Sequence, residues 1–188
     1  GIVSRLTDQK GFGLLMDAGE PLFENFNMQL VIVGSGEGHF MTFFQELAKK
    51  YPQKVGIYLG YDEVLSHAVY AGADAVIIPS RFEPCGLTQM EAMRYGTVPI
   101  VRKTGGLADS VINYDPANKT GTGFVFEKFD HRAFYGAMVR AIETYRYPEF
   151  WRDIQKRAMQ ADFSWTKSAH EYVELFKKAT EYHRQPNN

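Results

Sequence analysis

The hydrophobic positions of this chain fall into short apolar runs separated by longer amphipathic segments. The short runs have the length of buried strands, and the longer segments repeat apolar residues at the spacing of a helix face. Strands that alternate with helices indicate an α/β protein, in which helices cover both faces of a parallel sheet. The predicted strands are Ile2–Ser4, Gln29–Val33, Gly56–Leu59, Ala75–Ile78, Pro99–Val101 and Gly123–Phe126.

Local signals place helices between these strands and in a helical C-terminal tail. Asp62 and Asp130 are good N-caps, because a short side-chain oxygen can accept from the free N–H groups of a first turn. Ser164 or Thr166 is a further candidate for a cap, and we expect Gln185–Asn188 to fray. The predicted helices are Gly11–Phe26, Gly38–Lys50, Asp62–Ala71, Gly86–Tyr95, Leu107–Ile112, Asp130–Tyr145, Pro148–Ala161 and Thr166–Glu181.

Composition narrows the class of protein. The 188 residues fit one domain, and 45% hydrophobic with 23% charged residues is ordinary for a globular protein. A net charge of −1 argues against a nucleic-acid or membrane surface, since either needs a basic excess. A single cysteine excludes an internal disulfide and is compatible with a reducing compartment. The chain opens inside a predicted strand, so we expect it to be a piece of a longer protein.

Candidate ligand-binding residues follow the predicted strands at the points where the strands end. In a doubly wound sheet, ligands bind outside the carboxyl ends of the strands. We therefore expect these groups to gather around a single cavity. They are Arg5 and Lys10 after the first strand, Gly34–Gly38 after the second, Tyr61 after the third and Glu83–Thr88 after the fourth.

The segment Pro79–Gly96, PSRFEPCGLTQMEAMRYG, is the most informative part of the chain. A strand, a polar turn and a helix N-terminus in this order predict an anion-binding corner, at which backbone N–H groups point toward the ligand. Glu83 and Glu91 flank this corner, and carboxylates are good acceptors for hydroxyl groups. A ligand that is anionic in the middle and rich in hydroxyls at its ends, such as a nucleotide sugar, would satisfy all of these groups.

Each of the other candidates has a structural interpretation beside the functional one. Arg5 and Lys10 could bracket a diphosphate, or they could be solvated charges that pair with Asp8. Gly34–Gly38 could approach a nucleotide or simply form a tight turn, since it lacks the full dinucleotide-binding pattern. The ring of Tyr61 could stack on a base, or it could pack on the domain surface.

Three segments resemble the C-terminal half of bacterial glycogen synthases and plant starch synthases. They are GIVSRLTDQKG (Gly1–Gly11), GADAVIIPSRFEPCGLTQMEAMRYGTVPIVRKTGGLADSV (Gly72–Val111) and ADFSW (Ala161–Trp165). The resemblance implies a Rossmann-like, doubly wound parallel sheet of about six strands, which forms one half of a GT-B glycosyltransferase. It also implies that the chain is a single nucleotide-sugar-binding domain over residues 1–188, without the N-terminal acceptor domain.

The implied reaction is glucosyl transfer from ADP-glucose, or UDP-glucose, to the non-reducing 4-hydroxyl of an α-1,4-glucan, with retention. The resemblance implies that Arg5 and Lys10 hold the phosphates, Glu83 binds the sugar, Tyr61 stacks on the base and Glu91 reaches the ribose. Its catalytic set is Arg5, Lys10 and Glu83, and its donor-binding set is Tyr61, Cys85, Gly86, Leu87, Thr88 and Glu91.

We expect no metal and no cofactor, because the two cations already offset the charge of the diphosphate and no His or Asp cluster has the spacing of metal ligands. The implied partners are ADP or ADP-glucose, and a glucan held by the N-terminal domain. The chain alone would then bind nucleotide and transfer little or nothing. The implied location is the cytoplasm of a bacterium or the plastid stroma of a plant.

Two alternatives stay open at this point. The chain could come from a related glycosyltransferase with another donor or acceptor, such as sucrose synthase or a lipid-sugar transferase. It could also be a non-catalytic module that binds nucleotide or tethers a glucan.

A further segment, Arg102–Leu107, leaves a predicted strand and is expected to line the sugar pocket. In the family the last helix crosses back to the N-terminal domain, so we expect apolar surface to be exposed on the tail of this chain.

Overall fold

A computed structural model describes residues 1–184, so the expectation for Gln185–Asn188 lies outside the described residues. The strands of this part of the chain are β1 (Ile2–Val3), β2 (Leu30–Val33), β3 (Val55–Tyr58), β4 (Ala75–Ile78), β5 (Val98–Arg102) and β6 (Phe124–Phe126). The helices are α1 (Gly13–Asn25), α2 (Gly38–Lys50), α3 (Glu63–Gly72), α4 (Thr88–Arg94), α5 (Gly105–Ser110), α6 (His131–Tyr145), α7 (Pro148–Gln160) and α8 (Trp165–Arg184).

The six strands form two parallel three-stranded sheets that meet edge to edge, so the strand order across both is β3-β2-β1-β4-β5-β6. All pairings within β1-β2-β3 and within β4-β5-β6 are parallel. The two halves join through Gly1, whose N-terminal nitrogen donates to Ala75 O at 2.6 Å and whose oxygen accepts from Ile77 N at 2.9 Å. The strand order reverses between β1 and β4, and this is the point at which such a sheet opens a ligand crevice.

Apolar side chains bury both faces of the sheet. One layer packs α1, α2, α6 and α7 against the strands around Ile32 and Ile100. The other packs α3, α4 and α5 against the strands around Val76 and Val101. The predicted fold class, a doubly wound parallel sheet of about six strands with a helical tail, is confirmed.

Several helix ends follow the predicted signals because these signals are local. The Asp62 side chain accepts from Leu65 N at 2.8 Å, and that of Asp130 accepts from the N–H groups of Arg132 and Ala133. Ser164 Oγ accepts from Lys167 N at 3.3 Å, so Ser164 is the residue that caps α8.

Three predicted helix starts are wrong, and one of them is that of α5, which begins at Gly105 instead of Leu107. Residues Asp8–Lys10 form a 3₁₀ turn that ends at Gly11 in the left-handed region, with φ of 75°, so α1 begins at Gly13 instead of Gly11. A Cβ on Gly11 would lie 2.1 Å from Pro79 O, which explains why a glycine stands at this close approach. The helix predicted from Gly86 begins at Thr88, because Gly86 also has a left-handed φ of 73°.

Candidate functional site

A continuous groove runs along the carboxyl edge of the sheet, at the switch between β1 and β4. It consists of an inner pocket of about 280 Å³ and an outer pocket of about 350 Å³, which share Val3, Ser4 and Thr88. The inner pocket is also lined by Lys10, Phe12, Ser80, Glu83, Gly86 and Gln89. The outer pocket is also lined by Arg5, Gly34, Tyr61, His67, Tyr70 and Glu91.

Lys10 and Glu83 form an ion pair in the inner pocket. The Lys10 Nζ to Glu83 Oε2 distance is 2.5 Å, and Ser80 Oγ donates to the same oxygen at 3.1 Å. Glu83 is only 8% exposed, so its charge is largely removed from water. Within residues 1–184, Glu83 Oε1 accepts no hydrogen bond, which leaves one carboxylate oxygen free to accept from a ligand hydroxyl.

The turn that carries Glu83 is held by side-chain hydrogen bonds from the neighbouring strand, β5. Arg102 at the end of β5 donates from Nε to Ser80 O at 2.8 Å and from its terminal nitrogen to Arg81 O. Burial, together with the nearby charge of Arg81, lowers the pKa of Arg102. The Arg81 Nε lies 3.3 Å from Asp8 Oδ2. Asp8 therefore pairs with Arg81. The interpretation that Arg5 and Lys10 pair with Asp8 is wrong.

Gly105 and Gly106 lie directly behind the same turn. Gly106 N donates to Glu83 O at 3.0 Å, and a Cβ on Gly106 would lie 1.7 Å from Cys85 O. The segment Arg102–Leu107 supports the turn from outside and lines neither pocket, contrary to the prediction that it lines the sugar site. Its two glycines allow the close packing of backbone on backbone.

The end of the turn exposes backbone donors toward the groove. The N–H groups of Gly86, Leu87 and Thr88 donate to no protein acceptor in residues 1–184. Gly86, Leu87 and Thr88 all line the inner pocket, and the side chain of Leu87 is 60% exposed. Cys85 is exposed and lines neither pocket, so only its backbone takes part in this arrangement.

The outer pocket combines a cation, an aromatic ring and a carboxylate. The Arg5 guanidinium makes no ion pair or hydrogen bond with any described residue, and Tyr61 is 83% exposed. Glu91 lies one helical turn into α4 and faces Tyr70, which is almost completely buried. Burial raises the pKa of Tyr70 to about 12, and the negative charge of Glu91 adds to this rise.

The glycine-rich loop after β2 packs against the segment that follows β1. A Cβ on Gly34 would lie 1.9 Å from Ser4 O, and Leu6 N donates to Ser35 O at 2.9 Å. The first of these contacts requires glycine at position 34 whether or not a ligand is bound. Gly34 and Ser35 also line the outer pocket, so the two interpretations of this loop are compatible.

The sequence predictions missed the face of α3 that lines the outer pocket. Glu63, Ser66, His67 and Tyr70 are spaced three, four and seven residues along that helix and all face the groove. This spacing was readable from the sequence, but it marks any buried helix face and does not distinguish a pocket wall from core. Gln89 on α4 was missed as well, for the same reason.

Two negative results apply to residues 1–184. No group of three or more His, Cys, Asp or Glu side chains is arranged to hold a metal ion in this part of the chain. No helix in the same range combines the length and apolarity needed to cross a membrane.

Comparison with known proteins gives a consistent set of relatives. The family model described as glycosyl transferases group 1 matches residues 1–161. The chain is 46% identical to glycogen synthase 1 of Synechocystis sp. over 177 residues, which cover 94% of this chain and 37% of that protein. It is 48% identical to the glycogen synthase of Fervidobacterium nodosum, over 95% of this chain and 37% of that protein. The chain thus spans well under half the length of these relatives.

Among solved structures, the chain is similar to the catalytic domain of starch synthase IV from Arabidopsis thaliana bound to ADP and acarbose. The TM-score is 0.83 at 41% identity, and the match covers 96% of this chain and 38% of that one. A more distant likeness is to Anabaena HepE in complex with UDP, with a TM-score of 0.65 at 21% identity. The second likeness shows a shared fold alone.

Proposed function

The chain belongs to the glycosyl transferases group 1 family, and from this premise we propose that it is the donor-binding half of a glycogen or starch synthase. The proposed reaction transfers glucose from ADP-glucose to the non-reducing 4-hydroxyl of an α-1,4-glucan, with retention. The observation that carries this proposal is the convergence of Arg5, Lys10 and Glu83 on one groove at the switch point of the sheet.

In the proposed arrangement, the nucleoside occupies the outer pocket. The exposed ring of Tyr61 would stack on adenine, an interaction that contributes roughly 1–3 kcal/mol per base. Glu91 would accept hydrogen bonds from the ribose hydroxyls. Tyr61 and Glu91 both line the outer pocket, which supports this assignment.

The diphosphate would lie where the two pockets meet, with Arg5 on one side and Lys10 on the other. The unpaired guanidinium and the free N–H groups of Gly86–Thr88 would stabilise the charge that develops as the bond between sugar and phosphate breaks. The guanidinium, the Lys10 ammonium and the N–H groups would thus supply the positive charge that the leaving diphosphate needs. We therefore propose that the reaction needs no metal ion and no cofactor.

The glucose would occupy the inner pocket next to Glu83. This carboxylate is held by Lys10 and Ser80 through one oxygen, while the other is free to accept from a sugar hydroxyl. The glucan and the remaining catalytic groups would be supplied by the part of the relatives that this chain does not match. The chain alone is thus expected to bind donor and to elongate glucan little or not at all.

Calorimetric titration of the chain with ADP, UDP and their glucose conjugates tests the proposal. We expect ADP and ADP-glucose to bind, and ADP to bind more tightly than UDP. Arg5→Ala should weaken ADP binding by about 1–3 kcal/mol, the range for charge-assisted hydrogen bonds. Arg152→Ala is a matched control, because it removes an equal charge from the exposed side of α7.

The outcomes separate the parts of the proposal. Tighter binding of UDP than of ADP would overturn the assigned donor. Equal ADP affinity in the wild-type chain and in Arg5→Ala would overturn the phosphate assignment. If none of these nucleotides binds, the groove is not a donor site.

A further inference from the structure

Gln89 is a fully buried amide at the start of α4 that lines the inner pocket. Its Nε2 donates to Gly86 O at 2.8 Å and to Ser110 Oγ at 2.9 Å. The first bond closes the left-handed turn at Gly86, and the second leads to α5. Gln89 is therefore bonded both to the turn and to the helix behind it.

Ser110 extends these bonds to the other end of the turn. Its Oγ donates to Gly106 O at 2.5 Å, and Gly106 N donates to Glu83 O at 3.0 Å. A closed series of contacts thus connects Gly86, Gln89, Ser110, Gly106 and Glu83. Because both ends of the turn belong to this series, its backbone has a fixed position relative to α5.

The acceptor side of the Gln89 amide shows that this residue is not simply core packing. Its Oε1 is buried and has no hydrogen-bond partner in the part of the chain that the structure describes. A buried polar atom without a partner costs free energy, and an apolar side chain of similar size would avoid this cost. The two donated bonds are what an apolar residue could not supply.

We propose that Gln89, acting with Ser110, is a positioning residue that holds the Glu83–Thr88 turn in the shape that receives the diphosphate and the sugar of the donor. This inference rests on the proposed function of the groove. Gln89 does not itself need to touch the donor. It sets the direction of the N–H groups of the turn and the position of the Glu83 backbone.

The chain offers a matched control in Gln155 on α7, which bonds to a glycine just after the C-terminal end of α4. Gln155 Nε2 donates to Gly96 O at 2.8 Å, and Gly96 has a left-handed φ of 82°. The two glutamines thus make the same kind of bond to a left-handed glycine next to α4, but only Gly86 lines a pocket. Loss of the Gln155 bond should loosen the helix without changing the groove.

The experiment measures dissociation constants of ADP and AMP by calorimetry, at a temperature at which melting curves show every variant to be folded. Gln89→Leu and Ser110→Ala should each weaken ADP binding by roughly three- to tenfold, the effect of losing a hydrogen bond or two. AMP binding should change much less, because AMP lacks the phosphate nearest the turn. The preference for ADP over AMP should therefore fall.

Two further variants complete the test. Ser110→Thr keeps the hydroxyl and should keep wild-type affinity, and Gln155→Leu should lower the melting temperature while leaving the ADP/AMP preference intact. The inference is overturned if Gln89→Leu keeps the wild-type preference, or if Gln155→Leu loses as much of it. If the wild-type chain itself does not prefer ADP to AMP, the proposed diphosphate position fails instead.

Discussion

At the scale of single residues, Lys10 and Glu83 are the most tightly coupled pair in the groove. Lys10 is 19% exposed in its side chain and Glu83 is 9%, with 2.5 Å between Nζ and Oε2. Removing one partner of a largely buried pair leaves an uncompensated charge, which costs more than the pair contributes. Lys10 therefore has a structural role in addition to the role proposed in donor binding.

We predict that Lys10→Ala lowers both the free energy of unfolding and the affinity for ADP. The loss of stability should be about 1–3 kcal/mol, the cost of leaving a buried group unsatisfied. Lys50→Ala is the matched control, since Lys50 and Glu20 form a pair at 2.6 Å with about half of each side chain exposed. Its loss should be at most about 1 kcal/mol. Urea denaturation measures the loss of stability in each of the two variants. Equal losses would show that the burial of Glu83 does not matter.

The pairing of Lys10 with Glu83 was not predictable from local sequence. The two residues are 73 positions apart, and they meet because the start of β1 is hydrogen-bonded to β4 at the switch point. The sequence predicted that both side chains lie at the carboxyl edge, since each follows a strand. It could not predict which cation pairs with which acid, and the alternative pairing with Asp8 is wrong because Asp8 binds Arg81.

At the scale of elements, the contact between α5 and the Glu83–Thr88 turn depends on the absence of a side chain at Gly106. We predict that Gly106→Ala lowers stability by about 1–3 kcal/mol, the usual cost of overpacking, because the added Cβ would lie 1.7 Å from Cys85 O. ADP affinity should fall as well, since the turn must move.

At Gly136 the same change of glycine to alanine is expected to raise stability instead of lowering it. Gly136 lies inside α6, and a Cβ there would meet nothing within 4 Å. Alanine is the better helix former, so this variant should gain roughly 0.5–1 kcal/mol and bind ADP as the wild type does. Thermal and urea unfolding compare the stabilities of the two variants. A Gly106→Ala variant with wild-type stability and full ADP affinity would contradict the role given to Gly106.

Helix caps show which elements the sequence could predict. Asp62 and Asp130 were identified because a cap involves residues two or three positions apart. The start of α1 was missed because the turn at Gly11 depends on its close approach to Pro79 O, a contact across the sheet. Local chemistry was readable from the sequence, and contacts between distant segments were not.

The Asp130 cap gives a prediction for pH dependence. Hydrogen bonds from Ala133 N and Arg132 N lower the pKa of Asp130 from its usual value of 3.8. A lowered pKa in the folded state means that the cap contributes fully above the usual value, and that this contribution is lost as pH falls through the folded-state value. The stability difference between the wild type and Asp130→Asn should be constant from neutral pH to about 5 and decline below about 4. A difference that stays constant into acid would contradict this account.

At the scale of the whole molecule, α8 differs from the other helices. It follows the part of the chain that the family model matches, and it packs extensively against no other element of residues 1–184. Large apolar side chains are exposed along it, with Trp165 85% exposed and Phe176 64% exposed. The same kind of side chain is buried in α1 and α2. The structure thus agrees with the expectation of exposed apolar surface on the tail.

We predict that this surface makes the isolated chain self-associate weakly, because contiguous apolar area in water favours contact with a second apolar surface. The mean mass measured by light scattering should rise with concentration in the wild-type chain. Replacing Leu175 and Phe176 together with serine should abolish the rise, since 57% and 64% of these side chains are exposed. Val64→Ser is the matched control, because Val64 is 81% exposed on α3, away from the tail. A wild-type chain that stays monomeric at every concentration would show that α8 does not drive association.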